Sequence, residues 1–145
     1  FGRASANDRL AIARWSGYGE TLLELMAELR TDRVMDGLFL GPMADAAYLP
    51  FLRHIGATHI VNCAAEAQPP PYADAGLFSY CCLPWRDSAE QGRVIQKAGF
   101  SELQNATKFI HEARSSGGVV LVHCVQGISR SASVVAAYLQ EYEGM

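Results

Sequence analysis

Little in this sequence invites a membrane, a metal ion or a nucleic acid. No apolar run approaches the ~20 residues that cross a bilayer, and nothing at the N-terminus reads as a secretory signal. Charge is sparse and nearly balanced: 12 Lys and Arg against 15 Asp and Glu leave a net charge of −3. That balance offers no basic surface for nucleic acid or for an anionic membrane. Cysteine is scarce too, with four (Cys63, Cys81, Cys82 and Cys124) and no C-x-x-C pair. The four histidines, His54, His59, His111 and His123, show no ligand spacing with them, so no metal site is expected. A disulfide framework is a poor fit to a chain this rich in apolar residues. Free thiols in a reducing compartment, the cytoplasm or alternatively the nucleus, are the expectation. What the chain has in quantity is core: half of its 145 residues are hydrophobic, enough for one domain. It starts at Phe1 rather than methionine, which suggests a segment of a longer protein.

Residues 1–19 follow no period and read as a loosely held arm. Over residues 21–30, Leu22, Leu25, Met26 and Leu29 recur at helical spacing, with Thr21 and Glu24 placed as a capping box. Short apolar runs at 37–42, 58–64, 77–84 and 119–123 read as strands. "DAAYLPFLRHIGA" reads as a helix entered at Asp45, weakened or split by Pro50 and ended by Gly56. Residues 98–114 form an amphipathic helix closed by "SSGG", and another helix begins at about Ser129. Strands alternating with helices, several of them unbroken apolar runs, predict an α/β domain with a mostly parallel central sheet flanked by helices. The division expected is an arm and helix over residues 1–32 and one domain over residues 33–145.

The most informative stretch is "VVLVHCVQGISRSASVVAAYL", residues 119–139. A buried strand runs into His-Cys, a small polar loop follows, and a helix resumes at once. In an open α/β sheet, ligands sit beyond the carboxyl ends of the strands. A helix N-terminus there offers unpaired N–H groups and the positive end of a dipole, which suits an anion. Gly127 lets the backbone of Val125, Gln126, Gly127, Ile128 and Ser129 curl so that successive N–H groups point inward. Arg130 adds a planar fork for two oxygens of a phosphate. Cys124 lies at the base of this cradle, where the same N–H groups would pull a thiol from about 8.5 into the range of roughly 3.5–7.5. A thiolate under a bound phosphate is placed for in-line attack on phosphorus. Ser131 could hydrogen-bond the sulfur when it must leave again. Cys124 alone would read as a small buried hydrophobe; with Arg and Ser at this spacing it reads as a nucleophile.

"HCVQGISRS" also resembles the His-Cys-x5-Arg-Ser/Thr signature of the cysteine-dependent protein tyrosine phosphatases, and "GISRSA" resembles their dual-specificity branch. "DGLFLG", "THIVNCAAE" and "FIHEARSSGGVVLVHC" are similar to segments of that branch, in the same order, as in a small, atypical member. The resemblance implies hydrolysis of phosphotyrosine and phosphoserine or phosphothreonine in a protein substrate through a phosphocysteine intermediate, with no metal or cofactor. It implies that His123 supports the loop by hydrogen bonding rather than acting as a base. It also implies a general acid on a loop after an earlier strand; "LPWRDS" has the matching form and makes Asp87 the candidate, with Asp74 the alternative. Lipid phosphatases of the superfamily usually carry lysines in the loop, and "VQGIS" has none.

The resembling family continues with further helices after the last one here, so the domain is expected to be truncated at its C-terminus. The helix "SASVVAAYL", apolar on nearly every side, is expected to be buried on nearly every side, under the N-terminal helix or a second subunit of a homo-oligomer. The rival from another class is a phosphate-binding interaction protein with little turnover, against which Cys124, Arg130 and Ser131 together argue. "PPPY" at 69–72 matches a Pro-Pro-x-Tyr ligand of WW modules, or alternatively a stiff surface loop in which Tyr72 frames the site. Finally, Cys63 and Cys124 both stand at carboxyl ends of strands. In a parallel sheet Cys63 could capture an oxidised Cys124, with Cys82 the second choice.

Overall fold

The aliphatic run before Cys124 becomes the spine of the sheet. The computed structural model describes residues 2–3, 29–65, 69–70, 72–73, 75–83, 100–125 and 129–145. In chain order these form β1 (Gly2–Arg3), β2 (Asp32–Met35), β3 (Leu38–Pro42), α1 (Met43–Ala46), α2 (Leu49–His54), β4 (His59–Asn62), β5 (Ser79–Cys82), α3 (Phe100–Ser115), β6 (Val120–Cys124) and α4 (Ser129–Tyr142). The described strands make one sheet in the order β1-β2-β3-β6-β4-β5. Pairings β3–β6, β6–β4 and β4–β5 are parallel; β1–β2 and β2–β3 are antiparallel. The expected mostly parallel sheet is therefore present, with an antiparallel edge.

All five residues of β6 are buried, as a strand with neighbours on both edges and helices on both faces must be. Its alternation sorts the core. Val120, Val122 and Cys124 face α3 and α4, packing with Ile110, Ala106, Val134 and Tyr138. Leu121 faces the other way, with Phe39, Ile60, and Ala46 and Leu52 of α1 and α2. Helix α3 buries Ala106, Ile110 and Ala113, spaced for one face. It closes at Gly117, whose φ of 80° is the left-handed conformation a helix end requires. The Gly118 N–H then donates to the Ala113 carbonyl at 2.8 Å.

Several expectations change. The helix expected to enter at Asp45 starts two residues earlier, at Met43, and divides at Ala47 and Tyr48. Pro50 stands in the first turn of α2, where a missing N–H leaves no bond unmade. The expected strand over 58–64 shortens to β4 because the Asn62 side chain accepts the Ala64 N–H at 2.9 Å and turns the chain. Gly2 and Arg3, placed in a loose arm by sequence, pair with Arg33 and Asp32. Leu29 and Thr31, ahead of residue 33, are buried. The helix expected over 21–30 lies outside the described residues except for Leu29 and Arg30, which have no regular structure.

Helix α4 is not covered all round. Val134, Val135 and Tyr138 are buried, whereas Ser133, Ala136 and Gln140 are exposed along one stripe. Alanine counts as apolar in a periodicity argument, yet it has too little surface to require burial.

Candidate active site

β6 delivers Cys124 to the carboxyl edge of the sheet, and α4 begins five residues later at Ser129. Cys124 is buried, and so are Arg130 and Ser131 in the first turn of α4. The Ser131 hydroxyl lies 3.2 Å from the Cys124 sulfur. Strand end and helix start are thus held face to face, and the sequence-predicted pair is in contact. Val125 is half-buried; Ser129 opens the helix. Gln126, Gly127 and Ile128, and both acid candidates Asp87 and Asp74, lie outside the described residues.

Three consecutive carbonyls around Cys124 are tied down. The His123 carbonyl accepts the Cys63 N–H at 2.8 Å. The Cys124 carbonyl lies 3.3 Å from Nδ1 of the His123 ring. The Val125 carbonyl accepts the Met43 N–H at 3.1 Å, from the start of α1. In a trans peptide the N–H points opposite to its carbonyl. Holding the Cys124 carbonyl against the His123 ring therefore turns the Val125 N–H away from that ring. Burial pushes the His123 imidazole down to about 4, partly offset by its bond to the Cys124 carbonyl. The ring is neutral near pH 7, with Nδ1 the protonated nitrogen that can donate to that carbonyl.

Cys63 follows β4 directly and is fully buried. Asn62 pairs with His123, so Cys63 stands beside Cys124 on the adjacent parallel strand. Burial, then the neighbouring Cys124 and Cys81, push the Cys63 thiol up, and Arg130 opposes them. The Cys63 thiol is therefore protonated near neutral pH. The second-choice partner is corrected: Cys81 pairs with Val61 and packs on the α3–α4 face, so alternation sends Cys82 to the opposite face, exposed. Tyr72 of "PPPY" is engaged rather than displayed. Its hydroxyl donates to the Ala47 carbonyl, and its ring sits 5.9 Å from that of Phe78.

Sequence reasoning missed a second buried polar group beside the site. Asp45, Thr31 and Asn62 are all buried at the carboxyl edge of the sheet. One signal was available for Asn62, an Asn close to a strand's end, where its side chain commonly bends the chain. Asp45 and Thr31 carry no local pattern, because they meet across 14 residues of sequence.

A parallel strand ending in cysteine and a helix opening with arginine and serine define the class: a cysteine-dependent phosphatase domain. The family model described as "Dual specificity phosphatase, catalytic domain" matches residues 38–145. The chain belongs to the dual specificity phosphatase family, within the cysteine-dependent protein tyrosine phosphatase superfamily. Dual specificity protein phosphatase 1B of Arabidopsis thaliana is 37% identical over 131 residues, covering 89% of this chain and 73% of that protein. Dual specificity protein phosphatase 22-A of Danio rerio is 36% identical over 108 residues, 74% of this chain, which spans only 47% of that protein. Among solved structures, the human tyrosine phosphatase-like serine/threonine/tyrosine-interacting protein superposes with a TM-score of 0.66 at 35% identity, over 79% of this chain and 75% of that one.

Proposed function

We propose that this domain hydrolyses phosphotyrosine and phosphoserine or phosphothreonine in protein substrates by way of a phosphocysteine on Cys124. The observation that carries the reading is the contact between Cys124 and Ser131, with Arg130 buried one residue away in the same helical turn. The Cys124 thiolate attacks phosphorus as the bond to the substrate oxygen breaks, and Asp87 supplies the proton that oxygen needs. Arg130 and the backbone N–H groups of Val125, Gln126, Gly127, Ile128 and Ser129 hold the phosphate oxygens. Water then attacks phosphorus, Asp87 takes its proton, and the departing sulfur is received by the Ser131 hydroxyl. His123 holds the loop from the opposite face of the sheet. The product is inorganic phosphate.

A nucleophile of this kind needs a compartment that keeps thiols reduced, which supports the cytoplasm or the nucleus. All four cysteines are free thiols. The family supports the assignment of residues 33–145 as the catalytic unit, with Leu29 and Thr31 packed onto it. The interaction-protein reading is not favoured: Cys124, Arg130 and Ser131 are all present and buried together at the strand end.

The test is hydrolysis of p-nitrophenyl phosphate and of phosphotyrosyl and phosphothreonyl peptides, with orthovanadate as competitor. Cys124→Ser is the control: its hydroxyl stays protonated, so turnover should vanish while phosphate binding persists. Turnover by Cys124→Ser at the wild-type rate would sink the mechanism, and hydrolysis of phosphotyrosine alone would remove the dual specificity.

A further inference from the structure

The buried carboxylate of Asp45 has no role in the chemistry above. It is only 4% exposed, and burial pushes its pKa up in spite of the bonds it accepts. A group this costly to bury is retained for what it holds. We propose that Asp45 is a positioning residue for the phosphate loop, acting through Thr31, Gly41 and the Met43 N–H. This rests on the phosphatase reading and adds to it a residue that touches neither phosphate nor nucleophile.

The connection runs through named contacts. One oxygen of Asp45, Oδ2, accepts both the Arg30 N–H at 2.8 Å and the Thr31 hydroxyl at 2.7 Å. The Thr31 side chain is thereby pressed against the backbone of Gly41, where a Cβ would fall 2.2 Å from its hydroxyl oxygen. Only glycine admits that approach. Gly41 pairs with His123, and Pro42 pairs with Cys124. The next residue, Met43, gives its N–H to the Val125 carbonyl. Residues 41–43 therefore run alongside Cys124, with Thr31, fixed by Asp45, packed against Gly41. Met43, where α1 begins, holds the first carbonyl of the loop. If this packing slackens, the Val125 carbonyl can swing toward the cradle. A carbonyl oxygen facing a phosphate dianion and a thiolate weakens both.

The experiment compares wild type, Asp45→Ala, Asp45→Asn and Thr31→Val. Three quantities are read at a temperature where each is fully folded: KM and kcat for p-nitrophenyl phosphate, the inhibition constant of orthovanadate, and the pH midpoint for alkylation of Cys124 by iodoacetate. Asp45→Ala should weaken orthovanadate by roughly tenfold, about the loss of one hydrogen bond to a charged ligand. It should raise KM in parallel and move the alkylation midpoint to higher pH. Asp45→Asn should recover most of this, because one amide oxygen can receive both donors. Thr31→Val, which keeps the volume but loses the hydroxyl, should fall between. If Asp45→Ala merely melts earlier, with orthovanadate affinity and alkylation midpoint unchanged, the proposal is overturned. If Asp45→Ala does not fold, Thr31→Val decides, and wild-type affinity and midpoint in it overturn the proposal. A wild type that neither turns over nor binds orthovanadate is a different failure, of the phosphatase reading itself, and takes this proposal with it.

Discussion

His123 and Cys124 are neighbours in sequence with opposite surroundings, because successive side chains of a strand point to opposite faces. Cys124 meets the start of α4; the His123 ring is enclosed on the side of α1 and α2. That enclosure has a pH signature. The ring titrates near 4 in the folded state against its ordinary 6.5, so between these values the unfolded chain binds more protons. Stability is therefore complete above about pH 6.5 and declines as pH falls toward 4. The decline due to this ring should be about 2 kcal/mol between pH 7 and pH 5. Urea midpoints of wild type and His123→Asn across that range measure it, and parallel curves would show that the ring does not cause it. For the chemistry, Arg130→Lys should lose both phosphate binding and rate, since a point charge cannot replace a planar fork. Asp87→Asn should slow hydrolysis of a poor leaving group by about 10²–10⁴-fold and spare good aryl leaving groups. Equal losses on the two substrates would instead mark Asp87 as structural.

At the scale of elements, the ends of two helices and a turn are joined by one side chain. Arg114, in the last turn of α3, donates twice to the Asp36 carbonyl at the β2–β3 turn, through Nε at 3.1 Å and Nη2 at 2.8 Å. It also reaches the Tyr138 hydroxyl of α4 at 2.6 Å and Glu143 beyond it at 2.8 Å. Replacing Arg114 with alanine should cost about 2–3 kcal/mol in urea unfolding, given several bonds to one charged group. Tyr138→Phe should cost only about 1 kcal/mol. A loss below a few tenths for Arg114→Ala would mean that water replaces the clasp. Two adjacent strand ends make the other pairing of consequence, Cys63 beside Cys124. Peroxide should oxidise Cys124 to a sulfenic acid, which the Cys63 thiol condenses with to give a disulfide and water. Peptide mapping should find a 63–124 link, and dithiothreitol should restore wild type more fully than Cys63→Ser. Equal recovery without that peptide would discard the idea. Of these pairings, sequence placed Cys63 near Cys124 but not the Arg114 clasp. The long apolar elements β3, β4, β6 and α3 were legible from period and run length. β2, a half-exposed edge strand reading Asp-Arg-Val-Met, was not, because an edge strand needs no apolar signature. The site divides the same way: Cys124, Arg130 and Ser131 sit at a fixed local spacing, whereas Asp45 finds Thr31 only once the chain has folded.

For the molecule as a whole, the order of strands in space differs from their order in the chain. β3 and β4 do not touch each other; both pair with β6, which lies between them. A chain leaving the ribosome presents the two flanking strands first and the one that joins them only later, after α3. The half-sheets can therefore gain little lasting order until β6 is inserted, and such distant pairings slow folding. The strand that closes this gap is also the one that carries Cys124, the proposed nucleophile. A nascent chain thus has no assembled cradle in which to activate its cysteine before the sheet is joined. Maturation of the fold and onset of reactivity become a single event.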